Sequence, residues 1–116
     1  MNVSDLNGIY AGFFSGSAAE AIAIFAFIDG KITGGDLEGT KFDGRISTQD
    51  NESYSAEVRV FLPAGGQAIQ GVNTGKDGLE YDTSFKLESD FLEKDFIPLT
   101  TPLGKVNMRL QKIRDL

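Results

Sequence analysis

The stretch Ala21–Phe42 constrains this chain most: an apolar run breaks at Asp29-Gly30, resumes as Lys31-Ile32-Thr33 and reaches Gly34-Gly35-Asp36. Asp-Gly between two apolar runs is a strong hairpin signal, because a type I′ turn needs positive φ at both central residues. Gly34-Gly35-Asp36 predicts a second sharp bend, since glycine reaches backbone angles closed to other residues. Two reversals so close together predict a meander of antiparallel strands.

By composition, Ala21–Ile28 could also be a buried alanine-rich helix. Its β-branched and aromatic residues, and the hairpin signal directly after it, favour a strand. Both faces of that strand are apolar, with Ile22, Ile24, Ala26 and Ile28 on one and Ala23, Phe25 and Phe27 on the other. A half-solvated antiparallel strand alternates instead, so this one is expected to be covered twice. A second copy of the chain packing on Ala21, Ile22, Ile24, Ala26 and Ile28 is the expected cover, because an exposed apolar strand is an aggregation hazard. Burial under Phe91–Leu103 is the alternative.

Elsewhere the pattern is short strands and turns. Ile9–Phe14 opens the chain, followed by Ala19–Ile28, Lys31–Thr33 and Lys41–Thr48, with a polar turn at Gln49–Ser53. Tyr54–Leu62 alternates, with Ala56, Val58 and Val60 against Glu57 and Arg59, and Pro63-Ala64-Gly65-Gly66 breaks it. Ala68–Thr74 reads as a weaker strand, Leu79–Leu87 as a well-alternating one, and Lys105–Ile113 as the last. Asp90 and Glu93 fit a capping box and predict a single helical turn. Pro98, Pro102 and Gly104 predict a loop around Leu99–Leu103. One all-β domain spanning residues 1–116 is expected: an eight-stranded, lipocalin-like up-and-down antiparallel barrel with at most one short helix, and a sandwich as the alternative.

Composition narrows the function. The chain of 116 residues has no cysteine and no histidine, which removes thiolate metal sites and Ser-His-Asp or Cys-His nucleophile systems. A net charge of −6 opposes binding to a phosphate backbone, so no direct nucleic-acid partner is expected. Met1–Asp5 carries no basic stretch leading into an apolar one, and no apolar run approaches the ~20 residues that span a bilayer. A cytoplasmic chain without membrane contact is the expectation.

Candidate chemical sites are weak. Gly71–Asp77 superficially resembles a phosphate-binding loop, but its glycines are too close and Asp77 stands where Ser or Thr must hold magnesium. Calcium-loop frames centred on Gly78 or Gly30 fail at Ser84 and Phe25 respectively. Glu80 and Asp82 share a strand face and read as a solvated outer surface. No catalytic constellation, cofactor or metal is expected. The barrel interior is the other candidate, with Tyr10, Phe25, Phe27, Phe61, Tyr81, Phe85 and Met108 as its lining. Such an interior either fills itself or holds one small hydrophobic ligand. Lys105, Arg109, Lys112 and Arg114 gather at the end of the chain and are expected to pair across neighbouring strands.

Asp5-Leu6-Asn7-Gly8-Ile9-Tyr10, Asp29-Gly30-Lys31-Ile32-Thr33-Gly34-Gly35-Asp36 and Phe42-Asp43-Gly44 together resemble the GrlR family of type III secretion negative regulators. The resemblance covers the first half of the chain; the second half agrees in strand count and in its final apolar strand. Gly8-Ile9-Tyr10 is also similar to the Gly-x-Trp opening of calycins. The resemblance implies a cytoplasmic homodimer that regulates transcription by sequestering a basic activator protein. In better-known members an acidic Glu-Asp-Glu-Asp loop contributes to that contact. It falls here at Thr48-Gln49-Asp50-Asn51, with Asp50 in register and Glu52 just beyond. Carriage of a small hydrophobic ligand, as in calycins, is the alternative expectation.

Overall fold

Asp29 and Gly30 turn as their chemistry requires: φ is +48° and +89° in the computed structural model, which describes residues 2–116. Asn7 clamps the turn, its side-chain oxygen accepting from the Asp29 amide at 2.8 Å and its NH2 donating to Asp29 Oδ1 at 2.9 Å. The hairpin so formed joins β2 (Glu20–Ile28) to β3 (Lys31–Gly35), between β1 (Gly8–Ser15) and β4 (Lys41–Asp50). Then follow β5 (Ser53–Leu62), β6 (Leu79–Glu88), β7 (Ile97–Thr101) and β8 (Gly104–Asp115). All pairings are antiparallel, in the order β6-β5-β4-β3-β2-β1-β8-β7. The pairing of β8 with β1 curls the meander into a nearly closed up-and-down barrel. β6 and β7 face each other across the remaining seam, which Thr83 Oγ1 bridges by donating to the Thr100 carbonyl at 3.3 Å.

Three local expectations are corrected. Ala68–Thr74 is a loop pinned by one bridge between Gln67 and Asn73, and the seventh strand is Ile97–Thr101. Gly34 and Gly35 lie within β3, and the bend comes after them, where Asp36 Oδ1 accepts from the amides of Glu38 and Thr40 at 2.9 and 3.0 Å. Phe91–Glu93 is a 3₁₀ turn, but Asp90 forms no side-chain cap and lies 3.6 Å from Lys94 instead. A second 3₁₀ turn, Val3–Leu6, carries the capping box instead, through Asn2 and Asp5, and beyond these two turns no helix occurs among the described residues.

Alternation along each strand sorts side chains into an interior and an outer wall. At the end bearing the β2–β3 turn the interior is filled: Tyr10, Phe27, Ile32, Ile46, Tyr54, Ala56, Leu87, Phe91 and Leu110 are buried, and Leu6 of the first 3₁₀ turn plugs the opening. The Tyr10 and Phe27 rings lie 4.6 Å apart, and Tyr10 Oη donates to the Leu6 carbonyl at 2.7 Å. No helix among the described residues is long and apolar enough to cross a membrane.

Candidate functional site

The opposite half of the barrel keeps a cavity of about 100 Å³. Its walls are apolar: Phe14 on β1, Phe25 on β2, Phe42 on β4, Val58 and Val60 on β5, and Met108 on β8. Phe25 and Phe42 meet edge-on at 5.0 Å between ring centroids, and Phe14 joins them at 5.9 and 6.0 Å. Glycine makes this cluster possible. A Cβ on Gly34 would lie 2.7 Å from Phe25 Cδ1, and one on Gly12 would lie 2.6 Å from Phe25 Cε2.

The loop of residues 63–78 folds over this end as a lid. Its Ile69 carbonyl accepts from the amides of Ala18 and Ala19, and Ser17 Oγ donates to the Gln70 carbonyl at 2.9 Å. Gln70 then reaches across the opening, its amide donating to Tyr81 Oη at 3.2 Å and Thr101 Oγ1 at 3.1 Å. Asp36 and Glu38 line the rim, and no lysine or arginine does. Burial raises the Tyr81 phenol above its ordinary pKa, with the Gln70 contact acting the other way.

Of the seven side chains expected inside, Phe25, Tyr81, Phe85 and Met108 line the cavity, while Tyr10 and Phe27 belong to the filled half. Phe61 is a correction. It lies one residue out of phase with inward Val60 and sits on the outer wall, opposite Lys41 and Glu80. Phe14, Phe42, Leu62, Leu99 and Val106 line the cavity without having been anticipated. The signal for Phe42 was available in its alternation with Gly44 and Ile46.

The outer face of β2 is the second feature. Ile22, Ile24 and Ile28 are 62%, 48% and 47% exposed, with half-buried Ala26 between the last two. Ala21, expected on this face, shares the inner parity of Ala23 and lines the cavity. Cross-strand neighbours extend the apolar face onto β1, where Ile9, Ala11 and Phe13 stand opposite Ala26, Ile24 and Ile22. The alternative cover is incomplete: Asp95 and Phe96 border the face beside Phe13, Ile22 and Arg109, but Ile22, Ile24 and Ile28 stay about half exposed or more.

Arg109 of β8 lies over the Phe13 ring at 4.3 Å. Lys112 pairs with Asp115 three residues along its own strand, a contact that raises its pKa, and approaches the Tyr10 ring at 5.8 Å. Arg109 and Lys112 therefore engage aromatic rings and their own strand rather than carboxylates on neighbouring strands.

Asp50 and Glu52 sit exposed at the β4–β5 turn, where Asp50 Oδ1 accepts from the Glu52 amide at 2.8 Å. That hydrogen bond holds the Asp50 carboxyl below its ordinary pKa. Only β3 lies between β4 and the apolar face of β2, and the turn projects five residues beyond the Lys31–Arg45 pair, past the end of that face. Glu80 and Asp82 are engaged by Arg59, at 3.5 and 2.8 Å, on the solvated wall. No protein-family model matches the chain, and no curated relative does.

Proposed function

We propose that this chain is a small regulatory, protein-binding barrel that works as a homodimer and sequesters a basic regulatory protein, as the GrlR-family regulators it resembles do. The observation that carries this reading is the outer face of β2. Three isoleucines about half exposed or more, continuous with Phe13, form an apolar surface of a kind that soluble chains keep for a partner. An isologous dimer buries such a face against its own copy. The acidic balance of the chain and the exposed β4–β5 turn suit a basic partner bound elsewhere on the barrel, with salt-sensitive affinity. The small volume left inside the barrel favours this surface role over bulk ligand carriage.

Sedimentation velocity tests it. The native chain is expected to sediment as a dimer at micromolar concentration, and the Ile22→Lys/Ile24→Lys variant as a monomer with unchanged far-ultraviolet circular dichroism. In its own host, the native chain is expected to co-purify with a basic protein that is released by salt and lost from Asp50→Asn/Glu52→Gln. A native chain that remains monomeric and brings down no basic partner overturns the reading.

A further inference from the structure

The cavity beneath the lid has a chemistry that neither the outer face nor the acidic turn uses. Three phenylalanine rings in mutual contact form one apolar wall, a seat for a ring or short alkyl group. Its rim carries the carboxylates of Asp36 and Glu38, and none of its lining residues is basic. An anionic head group would meet only negative charge there. Its volume of about 100 Å³ is below the ~300 Å³ at which drug-sized sites begin, and near the ~150 Å³ that accepts a benzene ring. One ring or a short alkyl group fits; a long acyl chain does not.

We infer that this half of the barrel binds a small amine, a single ring or short alkyl group bearing an ammonium. The apolar part sits against Phe14, Phe25 and Phe42, and the cation faces the rim at Asp36 and Glu38. Gln70 acts as the latch. Its two hydrogen bonds to Tyr81 and Thr101 close the opening, and all three side chains offer polar partners once a ligand displaces the amide. The inference is independent of dimerisation, since Ile22 and Ile24 point away from the cavity.

Three probes of similar size and different charge test it by calorimetric titration at neutral pH: benzylammonium, benzyl alcohol and benzoate. Benzylammonium is expected to bind about tenfold more tightly than benzyl alcohol, and benzoate not at all. Glu38→Gln alters an exposed side chain and leaves the fold intact; it is expected to erase most of the preference for the cation. Val60→Phe fills the cavity and is expected to abolish binding of both ligands, with amide chemical shifts reporting whether the barrel remains folded. In the native chain, the shifts caused by benzylammonium are expected at Phe14, Phe25, Phe42 and Gln70. Equal affinity for the amine and the alcohol, binding of benzoate, or no saturable binding of the amine overturns the inference. So do shifts confined to the outer wall.

Discussion

Two glycines a few residues apart are needed for different physical reasons. Gly30 supplies a positive φ to the turn, whereas Gly34 supplies space. A Cβ on Gly34 would sit 2.4 Å from the Ile24 carbonyl oxygen and 2.7 Å from the Phe25 ring, and the carbonyl belongs to backbone that cannot swing aside. Gly34→Ala is therefore expected to destabilise the barrel by about 1–3 kcal/mol, the usual range for overpacking, read from the midpoint of urea unfolding. A midpoint within error of the native chain would mean that Phe25 does not lie over this strand. Asn7→Ala tests the other reversal. It removes two hydrogen bonds from the Asp29 turn and is expected to cost about 1 kcal/mol. The hairpin was legible because Asp-Gly has one dominant use. The role of Gly34 was not, because the residue that needs its missing side chain lies on the neighbouring strand.

At the scale of elements, β2 carries the contrast between the two walls. Phe27 is buried against Tyr10, while Ile24 on the opposite face is half exposed. Phe27→Ala is expected to cost about 3–5 kcal/mol, as for a large core deletion. Ile24→Thr is expected to change monomer stability by no more than about 0.5 kcal/mol, measured at a dilution where the chain is monomeric. Similar losses for both would contradict the assignment of faces. Seven of the eight strands could be read from apolar alternation and turn chemistry; the exchange between residues 68–74 and 97–101 shows where such reading fails. Ala68–Thr74 has strand-like alternation, but its partner groups are spent on the β1–β2 loop and across the cavity opening, which only the folded barrel brings near. Ile97–Thr101 contains Pro98, which argued against a strand. It survives because β7 is an edge: the Thr100 carbonyl faces the seam, Pro98 presents the same edge two residues earlier, and no bond to β8 is lost. Phe61 and Ala21 were misplaced for a related reason, since a run that is apolar on both faces does not reveal its phase.

For the whole molecule, the barrel packs three tyrosines in or near its core, and this sets its behaviour in alkali. Burial raises the phenol pKa of Tyr10, Tyr54 and Tyr81 above the ordinary value near 10. In the unfolded chain the same groups ionise at that ordinary value, so above it the unfolded state binds fewer protons than the folded one. Stability contributed by the neutral phenols is therefore complete below about pH 10 and is lost as pH rises toward the folded-state values. The expected result is a urea midpoint that falls steeply above about pH 10, with tyrosinate absorbance rising together with the loss of circular dichroism. Tyr81→Phe removes one of the three raised phenols and is expected to make that fall shallower. It also frees Gln70 from one of its two partners, so the lid over residues 63–78 is expected to become more susceptible to proteolysis at neutral pH. Tyrosinate that forms near pH 10 while the barrel stays fully folded would show that these phenols reach solvent, and would place the seam between β6 and β7 open rather than nearly closed.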